Sequence, residues 1–63
     1  MERDHYTVYS AYDRRVQFEG TYDECFKWII GQGEKLSDGS VIYRRWEMDG
    51  ELYIDVGRVF ILS

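Results

Sequence analysis

One segment of the chain carries apolar side chains at helical spacing, between Tyr22 and Ile30. Side chains at positions i, i+3, i+4 and i+7 share one face of an α-helix, and this face is apolar here. Its members are Tyr22, Cys25, Phe26 and Ile29, with Trp28 and Ile30 beside them. Thr21 and Glu24 have the spacing of a capping box, in which each side chain accepts a hydrogen bond from the other residue's backbone N–H. We predict a short helix that ends at a left-handed Gly31 or Gly33 and is stable only when packed on a sheet.

The segments on either side of this helix alternate apolar and polar residues, which is the period of a half-buried β-strand. Before the helix, residues 6–12 and 16–19 flank a polar break, and we predict a β-hairpin there. Its register stays open at this point. A three-residue loop would place Phe18 opposite Ser10, whereas a two-residue loop would place Phe18 opposite Tyr9.

A second hairpin is predicted around residues 48–50, within the segment 40–62. A two-residue loop would place Trp46 opposite Tyr53 and mix charged and apolar side chains on both faces. A three-residue loop, with Gly50 left-handed in a bulge, would separate them. Because a one-residue slip exchanges the two faces of a strand, we predict the three-residue loop. The apolar face then holds Ile42, Trp46, Leu52, Ile54 and Val56, with Val16 or Phe18, and the other face holds Tyr43, Arg45, Glu47, Tyr53 and Asp55.

The order of these elements predicts one small α+β domain over residues 1–63. We expect a two-layer ββαββ fold, in which a four-stranded antiparallel sheet carries one helix packed on one face. The apolar run Val59 to Leu62 is either a strand buried on both sides or an exposed edge that pairs with a second copy, and the first is favoured. The segment Gly31 to Ser40 lacks apolar periodicity and predicts a mobile surface loop.

The composition is that of a small globular domain, with 44% hydrophobic and 17% aromatic residues among 63. A domain of this size buries only about 60% of its unfolded-chain surface, so its stability is marginal. The net charge of −4 weighs against a nucleic-acid binder, because phosphates attract cationic surfaces. The first five residues are mostly charged and lack an apolar segment, so we expect no signal peptide, no membrane association and a cytoplasmic location.

Side chains that carry out catalysis or bind metals are scarce. His5 is the only histidine and Cys25 the only cysteine, which is too few ligands for a zinc site. Cys25 also lies on the predicted core face of the helix, where a thiol is a small inert hydrophobe. The glycines near Gly31 follow a helix, whereas phosphate-binding loops precede one. We therefore expect no enzymatic activity, no metal and no cofactor.

The predicted exposed face of the second hairpin is the candidate partner-binding site. Tyr and Arg are frequent in binding hot spots, and this face holds Tyr43, Arg45, Tyr53, Glu47 and Asp55. The same residues are also consistent with ordinary cross-strand pairs on a solvated face. A nucleic-acid site, as the alternative, would use Arg14, Arg15, Arg44 and Arg45. In the predicted register Arg44 falls on the apolar face, which is anomalous for a charged residue.

The first half of the chain also resembles a known pattern. Tyr6-x-Val8-Tyr9, followed by Gly20-Thr21-x-x-Glu24-Cys25-x-x-Trp28-Ile29, is similar to small accessory proteins of bacteriophages and prophages of Gram-positive bacteria. The resemblance implies a ββαββ protein without an enzymatic role. Small phage proteins of this size often bind and block a host protein, including CRISPR effectors and other defence components.

The resulting hypothesis is a non-enzymatic interaction module, encoded by a phage or mobile element, that binds and inhibits or modulates a host protein. Two alternatives remain open. One is a small nucleic-acid-binding regulator, and the other is a structural homo-oligomer, such as a homodimer, assembled through the last strand.

Overall fold

The computed structural model describes residues 4–63, which form one α-helix and a five-stranded antiparallel sheet. The elements are β1 (Tyr6–Ser10), β2 (Val16–Gly20), α1 (Tyr22–Gly31), β3 (Arg44–Met48), β4 (Glu51–Asp55) and β5 (Val59–Leu62). Across the sheet the strands lie in the order β2-β1-β5-β4-β3. No helix within residues 4–63 is long and apolar enough to cross a membrane. Residues 1–3, on which the expectation of no signal peptide partly rests, lie outside the described residues.

The predicted α+β class, with a helix on an antiparallel sheet, is confirmed, but the four-stranded ββαββ arrangement is wrong in detail. Gly57 adopts a φ of 104° and turns the chain, so that Val59–Leu62 forms a separate fifth strand. β5 lies at the centre of the sheet, between β1 and β4. Phe60 is buried on one side of this strand and Ile61 on the other. The interpretation of this segment as a strand buried on both sides is therefore confirmed.

The helix begins where the sequence predicts. The Glu24 backbone N–H donates to Thr21 Oγ1 over 3.1 Å, and the Thr21 N–H donates to Glu24 Oε1 over 2.9 Å. These two bonds satisfy N–H groups that the first turn of a helix leaves without partners, and they complete the capping box. The capping prediction is thus confirmed.

The helix ends differently from the prediction, because neither Gly31 nor Gly33 has a positive φ. Gly33 has another role. A Cβ at this position would lie 2.5 Å from Val41 Cγ1 and 3.0 Å from Val56 Cβ. The missing side chain therefore lets the chain that leaves the helix pass close against the sheet.

The hydrophobic core lies between α1 and one face of the sheet. Its buried residues are Val8, Cys25, Ile29, Ile54, Val56, Phe60 and Leu62. Trp28 of the helix stacks on Phe18 with ring centroids 5.5 Å apart and meets Phe60 edge-on at 5.4 Å. The helix packs on β1, β2 and β5. The β3 strand lies at the far edge of the sheet, and all five of its residues are exposed.

The second hairpin has the two-residue loop, so the predicted three-residue loop is wrong. Asp49 and Gly50 both have positive φ, 54° and 77°, which defines a type I′ turn. Trp46 lies opposite Tyr53, and Arg45 lies opposite Ile54. The prediction assumed that β3 must keep charged side chains off its apolar face. Since β3 extends beyond the helix, both of its faces are solvated, and the turn decides the register.

The first hairpin has neither of the two predicted registers. Val8 lies opposite Phe18, but Tyr9 lies opposite Val16, so Gln17 is an extra residue in a β-bulge. The bulge places Phe18 in contact with the helix and Val16 beside Tyr9 on the opposite face.

The connection between α1 and β3 folds back on itself. The Leu36 N–H donates to the Ser40 carbonyl over 2.8 Å, and Lys35 forms a β-bridge with Val41. Val41 packs against the core, whereas Ile42 is 74% exposed and does not join the apolar face as predicted. The mobility of this segment stays a prediction.

Candidate binding face

The sheet has a second face, opposite α1, that no other part of residues 4–63 covers with a layer of secondary structure. We call it the open face. One residue from each strand lies directly opposite its neighbours in a line across this face. In spatial order this line, the apolar row, consists of Val16, Tyr9, Ile61, Tyr53 and Trp46.

The centre of the apolar row is buried and its ends are exposed. Trp46 stacks on Tyr53 with ring centroids 5.6 Å apart and an interplanar angle of 11°. Ile61 is only 1% exposed, although it faces away from the helix. Its direct neighbours in the row are Tyr9 and Tyr53, both half-buried, so a tyrosine flanks it on each side. The two outer members, Val16 and Trp46, are 53% and 38% exposed.

A long side chain also lies across this face. Arg14, in the loop between β1 and β2, forms an ion pair with Glu51 of β4 at 3.4 Å. Because β5 separates β1 from β4, the Arg14 side chain extends over β5 to reach its partner. The hydrogen bonds and charge of Glu51 raise the pKa of the Arg14 guanidinium above its ordinary value.

A second ion pair borders the apolar row near Trp46. Arg44 Nη2 lies 3.1 Å from Asp55 Oδ2, and the Gly57 backbone N–H donates to the other carboxylate oxygen over 2.9 Å. The Gly57 N–H and the Arg44 guanidinium together hold the pKa of Asp55 below its ordinary value. The arginines beside the row are therefore neutralised by carboxylates of the same chain.

The five residues predicted as one binding surface lie on two faces. Tyr53 and Asp55 lie on the open face, as their alternation with the buried Ile54 requires. Arg45 and Glu47 lie on the helix side, where they border a groove beside α1. Tyr43 also lies on that side and meets Phe26 of the helix edge-on, with centroids 5.6 Å apart. Whether any of these residues binds a partner stays a prediction.

The four arginines of the nucleic-acid alternative do not form one basic patch. Arg14 and Arg44 are paired as described, and Arg15 lies 3.7 Å from Asp13. Arg45 lies on the opposite side of the sheet from Arg44, because they are consecutive residues of one strand.

Four members of the apolar row, Val16, Tyr9, Ile61 and Trp46, were not among the predicted site residues. The Asp49-Gly50 pair was the signal that could have identified Trp46, since this dipeptide favours a two-residue type I′ turn. The same register removes the anomaly of Arg44, which lies on the open face beside Asp55.

The Cys25 thiol and the side chains that could bind a metal ion do not form a reactive site within residues 4–63. Cys25 is fully buried in the core, and its Sγ donates to the Tyr6 carbonyl over 3.6 Å. Burial raises the pKa of this thiol, which keeps it protonated and unreactive. Within residues 4–63 no three His, Cys, Asp or Glu side chains are grouped so that they could hold a metal ion.

Comparisons of this chain with protein-family models, with curated proteins and with solved structures found no match. The functional interpretation therefore rests on the chain itself. Its main feature is the open face, on which the apolar row lies between charged side chains that are paired with each other.

Proposed function

We propose that this protein is a non-enzymatic interaction module that binds another protein through the open face of its sheet. The apolar row carries this proposal, because it places two tyrosines and a tryptophan on the open face. Such rings contribute large contact areas and lose little conformational entropy on binding, which is why they are frequent in hot spots. The sheet beneath them fixes the backbone positions from which these rings project.

The charges around the row favour a protein over a nucleic acid as partner. Bases could stack on the exposed rings, but phosphates require cationic side chains nearby. The arginines of this face are already paired, Arg14 with Glu51 and Arg44 with Asp55. A phosphate backbone would have to compete with these carboxylates on a chain of net charge −4. An apolar centre with a rim of paired charges is typical of a protein–protein interface.

The resemblance of the first half of the chain to small phage proteins suggests the class of partner. On this basis we propose that the partner is a host protein, for example a defence component such as a CRISPR effector. Binding would inhibit or modulate it by occupying part of its surface.

Tyr53 and Tyr43 provide a matched pair of variants for the test, because they lie on opposite faces of the molecule. Tagged wild type, Tyr53→Thr and Tyr43→Thr are each used to capture proteins from a nuclease-treated bacterial lysate. The captured protein is then identified and purified, and its affinity is measured by calorimetry. We expect Tyr53→Thr to weaken binding by about tenfold or more, as for a hot-spot residue, while Tyr43→Thr leaves it unchanged.

The opposite pattern, with loss only in Tyr43→Thr, would place the binding surface on the helix side. Failure of the wild type to retain any protein would contradict the proposal. Direct binding of DNA or RNA with an affinity that falls steeply with salt would instead support the nucleic-acid alternative.

A further inference from the structure

The two edges of the sheet differ in their ability to pair with another strand. The outer strand β2 contains the bulge at Gln17, a device that disfavours edge-to-edge pairing. At the other edge, β3 runs from Arg44 to Met48 without a register shift, and within residues 4–63 it is paired only with β4. All five of its residues are exposed, and the chain contains no proline. The β3 edge is therefore a regular, open template for a further strand.

The hairpin geometry determines which backbone groups of β3 point outward. In a hairpin with a two-residue loop, the residues that flank the loop exchange both backbone hydrogen bonds, and this alternates along the strands. Met48, Trp46 and Arg44 therefore direct their N–H and C=O groups towards β4. Arg45 and Glu47 direct theirs away from the sheet, to the free edge.

The charges on β3 favour one register for pairing between the β3 strands of two copies. Two copies related by a two-fold axis pair antiparallel, with one residue opposite its own copy. If the two-fold axis lay at Arg45 or at Glu47, that residue would lie opposite its own copy. Like charges would then face each other, which destabilises a strand pair. Centring on Trp46 opposes Arg45 to Glu47 of the second copy, twice. The same register aligns the outward backbone groups of Arg45 and Glu47, so four backbone hydrogen bonds form.

We propose that the protein forms a two-fold symmetric dimer in which β3 pairs antiparallel with β3 of a second copy, centred on Trp46. The two sheets join into one ten-stranded sheet. On the helix side, Arg45 and Glu47 of each copy form two ion pairs between the copies. Within residues 4–63 neither of these side chains makes an ion pair in its own chain, so both are available.

The same contact between the two β3 strands also buries apolar side chains on the open face. Trp46 of one copy lies beside Trp46 of the other, which covers two exposed indoles and joins the two apolar rows into one. Met48, 49% exposed in the single chain, lies opposite the aliphatic part of Arg44 of the second copy. Burial of these groups stabilises a domain that is too small for a large core of its own.

Sedimentation analysis of the wild type at concentrations up to about 1 mM tests the dimer directly. A dissociation constant above about 1 mM corresponds to a contact too weak to count as a dimer. Two charge reversals test the register. Arg45→Glu leaves only acidic residues at the two positions and Glu47→Arg leaves only basic ones, so each variant alone opposes like charges. We expect each to weaken dimerisation by about tenfold, because two cross-strand pairs change from attraction to repulsion.

An equimolar mixture of the two reversals provides the control, because the two acidic side chains of one variant then meet the two basic side chains of the other in the proposed register. The mixture and the double exchange Arg45→Glu/Glu47→Arg are both expected to dimerise like the wild type. Circular dichroism of each variant checks that the substitution leaves the fold intact. A monomeric wild type, or a dimer that either reversal leaves unchanged, would overturn the proposal. The proposal would also be overturned if the two single variants dimerised as strongly alone as they do when mixed.

Discussion

The two faces of the sheet bury their central residues in different ways. Ile54 and Ile61 lie on neighbouring central strands, and they are 0% and 1% exposed. Ile54 belongs to the core beneath α1, which packs on the sheet as a second layer. Ile61 lies between Tyr9 and Tyr53 on the open face, where its neighbouring side chains are not held by a second layer of secondary structure within residues 4–63. Equal burial can thus mean a structural core on one face and an adaptable surface on the other.

The sharpest test of this difference is the same truncation on both faces. Ile54→Ala leaves a cavity beneath the helix and is expected to cost about 3–5 kcal/mol, the upper range for such truncations. Ile61→Ala is expected to cost about 2 kcal/mol, because the side chains above it can collapse and water can enter. Urea unfolding followed by circular dichroism measures both. Equal costs, or a larger cost at Ile61, would show that the open face is packed as rigidly as the core.

Gly31, the last residue of the helix, and Gly33, two residues further on, test how closely the connection after α1 packs against the sheet. Gly33→Ala is expected to cost about 1–3 kcal/mol, because its Cβ would collide with Val41 and Val56. Gly31→Ala meets no atom within 4 Å and should stabilise the chain by about 0.5–1 kcal/mol. Thermal unfolding of the two variants gives both values. A neutral Gly33→Ala would mean that the connection is free to move away from the sheet.

The two faces differ because α1 packs on only one of them, and the capping box stabilises the start of this helix. Substitutions at Thr21 measure that stabilisation. Thr21→Ala removes the acceptor of the Glu24 N–H and is expected to lower the free energy of unfolding by about 1 kcal/mol. Thr21→Ser retains the hydroxyl oxygen and serves as the control. Chemical denaturation checks both variants. An equal loss in the two would indicate that the Thr21 methyl group, and not the hydrogen bond, stabilises this end.

The smallest effect concerns acid stability on the open face. The Gly57 N–H and Arg44 lower the pKa of Asp55, so the folded chain favours the ionised carboxylate. The resulting stabilisation is complete above the unfolded-state pKa of about 3.9 and is lost as the pH falls through the lower folded-state pKa. Asp55→Asn should therefore flatten the loss of stability below this pH, and Arg44→Gln should flatten it less, because the Gly57 bond remains. Urea midpoints measured across the acid range provide the comparison, and an unchanged acid profile in Asp55→Asn would contradict it.

The helix could be predicted from sequence because its signals are local. The capping box spans four residues from Thr21 to Glu24, and the apolar face repeats every turn. Strand registers depend on more distant features. The bulge at Gln17 leaves no mark in the hydrophobic pattern, and the fifth strand depends on a turn at Gly57.

The candidate site was predicted only in part, and one error explains most of the difference. Sorting side chains by polarity assumes that one face of every strand is buried, which is not true of β3. The predicted register differs by one residue in β3. It placed Tyr53 and Asp55 correctly on the exposed face, but it placed Arg45 beside Tyr53 where the structure has Trp46. Arg44 on a predicted apolar face was the sign of this error, since a charged residue there had no partner.

Methyl NMR can show directly which face binds the partner. Ile61 and Ile54 carry methyl groups on opposite faces of adjacent strands, so isoleucine labelling distinguishes the two surfaces within a few residues. The protein captured by the wild type is titrated into the labelled chain, and the chemical-shift change of each methyl group is recorded. If the open face binds, the methyls of Ile61, which lie directly beneath that face, shift strongly, whereas the methyls of Ile54 and Ile29, buried in the core beneath α1, shift little. Ile61 methyls that stay unchanged in the saturated complex would contradict the open face as the binding surface.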